Sequence, residues 1–155
     1  MLQAINKTTM NPHNEAVLIR KQVVEETLAQ APVQGKKLLE PLNALAKEKR
    51  LPINILEDDH VDHNEAEIHH HEDNLWYCLE GEVNFVYGGE MIDPWFKKLP
   101  DGTEDKREVK ANEMKDGTRE VLKPGDWLWI PAGVPHQHTC SGTARMVIIK
   151  IPKTA

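Results

Sequence analysis

The sequence predicts an antiparallel β-barrel or sandwich preceded by helices, and three observations carry that prediction. Short β-rich runs lie at 75–87, 126–130 and 144–151, separated by turns that bear Gly and Pro. Ahead of them, residues 14–50 keep a helical period. A length of 155 residues with 39% hydrophobic content suits one domain that buries a core without disulfides or metal staples.

The elements follow in chain order. Asn14 is placed to cap a helix from Glu15 to about Gln30, whose partial apolar stripe is Ala16, Ile19 and Val23. Pro32 and Gly35 break it, and a second short helix is expected over 41–50, with Pro41 in its first turn and Pro52 after its end. Ile53–Leu56 reads as a short strand. In LWYCLEGEVNFVY (75–87) two β-rich runs flank Glu80-Gly81-Glu82, a hairpin signal. Residues 97–120 carry seven basic and seven acidic side chains and almost nothing apolar, so a solvated excursion is expected, with a hairpin of its own at Asp116-Gly117. The strand pattern returns at Trp127 and Trp129 and closes with the β-branched run ARMVIIKI (144–151). The expected division is a helical extension over 1–52 packed on a β-domain over 53–155, with 97–120 inserted in the latter.

Composition narrows the partners. The net charge of -6 argues against nucleic acid, whose phosphates need a basic surface. No apolar run approaches membrane-spanning length and no signal-peptide pattern opens the chain, so a cytoplasmic protein away from membranes is expected. Cys78 and Cys140 lie 62 positions apart in apolar surroundings and read as two free buried thiols.

Histidine is the unusual residue. Five of the eight fall between His60 and His71, and His136 and His138 form a second cluster. On extended backbone His69 and His71 share a face with Glu67, while His70 points away. Two imidazoles at i and i+2 can bind one metal ion, and imidazole suits zinc, iron, copper and nickel. His136, fixed by the turn Pro-Ala-Gly-Val-Pro, is the candidate third nitrogen, with His138 on the same side. His60, His63 and His70 are expected to face solvent. The run 56–74 carries eight acidic residues and no Lys or Arg, which suggests a cation-attracting approach to the pair.

These residues match a family pattern. Gly125, then five residues, Pro131-Ala132-Gly133, two residues and His136 resembles the second motif of the cupin superfamily at every position up to the histidine. The stretch Trp76–Gly81 resembles the strand and turn that end the first motif, which is otherwise degenerate. Counted back from Gly81, the position of that motif's glutamate is Asn74, and the histidine pair falls on His69 and His71 with a short spacer, or on Glu67 and His69 with the longer one. The resemblance covers about residues 53–151 and identifies a small single-domain cupin. It implies an all-β core, an antiparallel double-stranded β-helix or jelly-roll barrel with N-terminal helices. It also implies a divalent transition metal (iron, nickel, zinc or manganese) held by His69, His71 and His136, with Asn74, Glu67 or His138 as a further ligand. Trp76, Tyr77, Trp127 and Trp129 are candidates for the pocket wall, core or wall packing being the alternative for the tryptophans.

The implied function is a metalloenzyme, a dioxygenase, isomerase or lyase acting on a small oxygenated acid or sugar. The alternative is a non-catalytic cupin that binds or senses a small ligand. A homodimer formed through sheet edges or the N-terminal helices is also expected.

Overall fold

Alternation of buried and exposed side chains sets two antiparallel sheets face to face, and the computed structural model describes residues 15–153 of this arrangement. The elements are α1 (Lys21–Leu28), β1 (Gly35–Leu38), α2 (Leu42–Lys49), β2 (Ile53–Val61), β3 (Ala66–His69), β4 (Glu72–Glu80), β5 (Val83–Tyr87), β6 (Glu90–Ile92), β7 (Trp95–Lys98), β8 (Glu104–Ala111), β9 (Glu113–Lys115), β10 (Thr118–Leu122), β11 (Trp127–Ile130) and β12 (His136–Pro152). One sheet runs β1-β2-β12-β4-β11 and the other β10-β5-β12-β3-β8-β7, with β6 and β9 paired beside them. The 17-residue strand β12 belongs to both, because a shift of register between Cys140 and Thr143 lets it turn from one into the other. This is the jelly-roll architecture expected. Between the sheets Trp76, Cys78, Val83, Phe85, Ile130, Cys140 and Met146 form the main core, and both cysteines are buried free thiols.

The helices are shorter than predicted. The capping residue Asn14 lies outside the described residues. Arg20 occupies the α1 N-cap without a side-chain hydrogen bond, so the helix spans 21–28 rather than 15–30. α2 ends where Arg50 turns left-handed. Val23, Val24 and Leu28 of α1 and Leu42 of α2, with Leu39 just ahead of α2, pack on Ile55 of β2. No helix among the described residues is long and apolar enough to cross a membrane.

Three other expectations are corrected. Strand β2 does not stop at Leu56 but runs on through Glu57-Asp58-Asp59, which are buried and compensated by Arg145, His138 and Thr143 respectively. The centre of the acidic run is therefore fold-bearing and is not an approach to the site. Residues 97–120 are no excursion, since β8 and β10 are ladder strands of the second sheet. Asp116-Gly117 there is a kink between β9 and β10, opposite the Gly88-Gly89 kink between β5 and β6, and not a hairpin.

Glu80-Gly81-Glu82 likewise makes no hairpin. β4 pairs with β11 and β12, while β5 pairs with β10 and β12, so this turn carries the chain from one sheet to the other. Gly81 has φ +70°, and a Cβ there would sit 2.0 Å from the Thr143 carbonyl oxygen. Gly81→Ala is expected to cost about 1–3 kcal/mol from the left-handed φ alone, with the backbone clash added. Urea unfolding measures this, and an unchanged midpoint would contradict it.

Candidate metal centre

Strand β3 presents Glu67 and His69 on one face, as its two-residue period requires. Glu67 is the direct cross-strand partner of His136 on β12. Ligand atoms of Glu67, His69 and His136 all lie within 4.8 Å of one another, and the two imidazole centroids are 5.2 Å apart. These three form a group able to hold a metal ion. Asn74, inward-facing on β4, lines the same cavity of about 240 Å³ together with Glu67 and His69.

The second motif's turn holds this geometry. The Gly133 N–H donates to the His69 carbonyl at 2.9 Å, and the Ala132 N–H donates to the Asp73 carboxylate at 2.7 Å. The turn thus grips the chain on both sides of the bend at residues 70–71.

That bend explains why His71 is not gathered with the others. β3 ends at His69, the His70 N–H goes to the Arg107 carbonyl, and β4 begins at Glu72 in the opposite sheet. The extended backbone needed for His69 and His71 to share a face is interrupted. His71 is half-buried, with its ring 6.4 Å from that of His69 and its Nε2 3.5–3.7 Å from Glu72 and Glu108. The structure gathers the longer-spacer set, Glu67 and His69 with Asn74.

Orphaned polar atoms test the fit to a metal. His136 is 2% exposed, and its Nδ1–H donates to the Val134 carbonyl at 3.2 Å, which leaves the Nε2 lone pair free. That Nε2 and the Oδ1 of Asn74 are buried without a hydrogen-bond partner among the described residues. An unpaired buried acceptor is costly, and a cation held by Glu67, His69 and His136 satisfies the His136 Nε2. Burial, reinforced by the neighbouring His69, pushes the His136 pKa down to about 4, so the ring is neutral and ligand-ready.

His69 sits between two carboxylates. Its Nδ1–H donates to Glu108 at 2.5 Å, while Nε2 lies 3.5 Å from Glu67. Burial disfavours its cation, but Glu67 and Glu108 outweigh that and raise its pKa. Burial likewise works against the Glu67 anion, yet His69, Lys36 and Lys110 hold its carboxyl far below the usual carboxylate range. The imidazole thus lies between the Glu67 and Glu108 carboxyl groups, which favour its protonated form.

Glu108 escaped the sequence reading. It faces His69 across the β3–β8 ladder, as Lys110 faces Glu67, and its contact with Nδ1 points Nε2 into the group. It sits within the charged stretch read as solvated. Its only signal is Val109 alternating with inward-facing charges.

The other candidates take different places. His138 is buried, but its Nδ1–H donates to Asp58 at 2.6 Å and its Nε2 accepts from Asn64 at 3.4 Å, so neither nitrogen is free. Trp76 does line the cavity. Trp127 and Trp129 are 60% and 58% exposed, outside the barrel, because β11 turns Ile130 inward. Tyr77 stacks on Trp127 at 4.4 Å on that outer face and does not reach the cavity. His60, His63 and His70 are exposed.

No family model matches the chain, and no curated protein matches it. It is similar to several solved structures. Hydroxypropylphosphonic acid epoxidase from S. wedmorenis is 18% identical, with 66% of this chain and 46% of that one covered and a TM-score of 0.44. A recombinant oxalate oxidase in complex with glycolate is 18% identical over 66% and 42%, with a TM-score of 0.43. E. coli ycfD is 18% identical over 81% and 36%, with a TM-score of 0.49. The chain spans less than half the length of each. By its own strand order, and by the gathering of Glu67 and His69 of the first motif with His136 of the second, the chain is a protein of the cupin fold.

Proposed function

We propose that the protein is an iron(II)-dependent dioxygenase acting on a small oxygenated acid or sugar. The supporting observation is the donor set of two imidazoles and one carboxylate, Glu67, His69 and His136, with the His136 Nε2 unpartnered and with Glu67 and His69 lining a cavity. Such a set with open positions suits non-haem iron(II) better than the three-histidine set expected from the sequence. Iron bound there would supply open positions for substrate and dioxygen. The protein's part is to hold them. Glu108 orients His69, the Val134 carbonyl fixes the His136 tautomer, Asn74 offers a fourth oxygen, and Leu56, Trp76 and Ile148 keep that wall of the cavity dry.

Protein purified without a histidine tag and loaded with iron(II) under anaerobic conditions is expected to hold one ion per chain and to consume oxygen with a suitable small acid or sugar. Binding must displace the proton on His69, whose pKa is raised, whereas His136 is already neutral above about pH 5. Below the raised His69 pKa, calorimetry in buffers of differing protonation enthalpy should therefore show proton release on binding. Apparent affinity should rise with pH up to the His69 pKa and level off above it. Affinity independent of pH between 5 and 8 would contradict this ligand set.

One observation favours the non-catalytic alternative. Lys110 donates to Glu67 at 2.9 Å, so that carboxylate is compensated even without a metal. Wild type that refuses iron, manganese, nickel and zinc would establish the alternative.

A further inference from the structure

We propose that this cavity selects a small anion, a carboxylate-bearing molecule with a short apolar body, through Lys36 and Lys97 at its mouth. The proposal rests on the reading of Glu67, His69 and His136 as a metal centre, and it narrows acid or sugar to acid.

The charge of the lining runs against the composition of the chain. The protein carries a net -6, yet the cavity is lined by four lysines, Lys36, Lys97, Lys110 and Lys150, against two carboxylates, Glu67 and Glu108. The lysines come from β1, β7, β8 and β12, so four separate strands converge on one positive lining. Two are engaged: Lys110 with Glu67 at 2.9 Å and Lys150 with Glu72 at 3.1 Å. Lys36 reaches Glu67 only at 4.0 Å, and Lys97 pairs with no carboxylate among the described residues. β1 and β7 are the outer strands of their sheets, so these two ammonium groups stand on opposite sheets at the cavity's open side. A divalent ion on Glu67 would draw that carboxylate's charge away from Lys36 and deepen the positive potential.

The remaining wall is apolar over Leu38, Leu56, Ile148 and Trp76, with the amides of Asn54 and Asn74 beside them. A neutral sugar brings no charge to answer Lys36 and Lys97, whereas a carboxylate answers both and lays its short body on the hydrocarbon part of the wall. At about 240 Å³ it holds roughly eight water volumes of ~30 Å³, the size of a branched five-carbon hydroxy acid.

The test uses 2-hydroxy-3-methylbutanoate and its uncharged amide as probes, titrated calorimetrically into full-length protein loaded with iron(II) without oxygen. Iron per chain is measured on the same samples. Wild type is expected to bind the acid at least about tenfold more tightly than the amide. Lys36→Met/Lys97→Met should weaken the acid about tenfold, leave the amide unchanged and keep its iron. Both lysines sit on outer strands with exposed side chains, so the variant should fold. Equal affinity for acid and amide overturns the proposal. So does acid affinity unchanged in the double variant, since the preference would then belong to the metal alone. Wild type that binds no iron but still prefers the acid in a lysine-dependent way supports the anion site and removes the metal reading instead.

Discussion

Glu67→Ala and His136→Ala are each expected to weaken metal binding by more than 100-fold, while His71→Ala should change it less than about threefold. The first pair removes atoms of the gathered group, and loss of a direct ligand should exceed the 10–100-fold typical of losing an outer partner. Glu108→Gln falls in that lower range, because the amide still accepts from the His69 Nδ1–H but withdraws the negative charge that makes Nε2 more basic. His71 lies beyond the bend where the chain leaves β3, so its removal takes away none of the three ligands. Anaerobic iron(II) titration with circular dichroism as a folding control separates the cases. If His71→Ala abolished binding while Glu67→Ala retained it, the three-histidine set would stand and the gathered set would fall.

The contrast between these variants marks where the sequence stops being readable. The second motif could be read because its Pro and Gly positions dictate a turn, and that turn does place His136. The inward side of β4 could be read from Asn74, Trp76 and Cys78 at period two. Which register of the first motif applies could not, because it depends on where β3 ends. That end is set by a hydrogen bond from Gly133, 64 positions away. Glu108 and the extension of β2 were hidden for a related reason. Charged side chains turned inward erase the apolar alternation, and their partners, His69, His138 and Arg145, lie 39 to 88 positions off in sequence. Trp127 and Trp129 misled in the opposite direction, since large aromatic side chains on an outer strand face look like core by composition.

Arg145→Met is expected to cost about 3–5 kcal/mol, the range for leaving one member of a buried ion pair unpaired. Arg145 is 4% exposed and Glu57 is fully buried; Nε and Nη2 donate to the same Glu57 oxygen at 3.0 and 2.9 Å. The guanidinium also donates to the carbonyls of Leu28 and Gln30, and the other Glu57 oxygen accepts from the Val33 N–H. One pair thereby satisfies the end of α1 and the segment after it, and ties both to β2. Removing the arginine strands a carboxylate and two carbonyls at once, whereas Glu57→Leu on top of Arg145→Met also removes the stranded charge. The double variant should recover part of the loss, about half or more, since replacing both charges by apolar groups is often close to neutral. For a chain of this size the single change corresponds to a fall in Tm of roughly 10–15 °C. Glu57 and Arg145 face the helices, on the side of the sheet away from the metal centre, so iron bound per folded chain should stay at the wild-type value. A single variant that loses less than about 1 kcal/mol would show that water reaches the pair and solvates Glu57 without its partner.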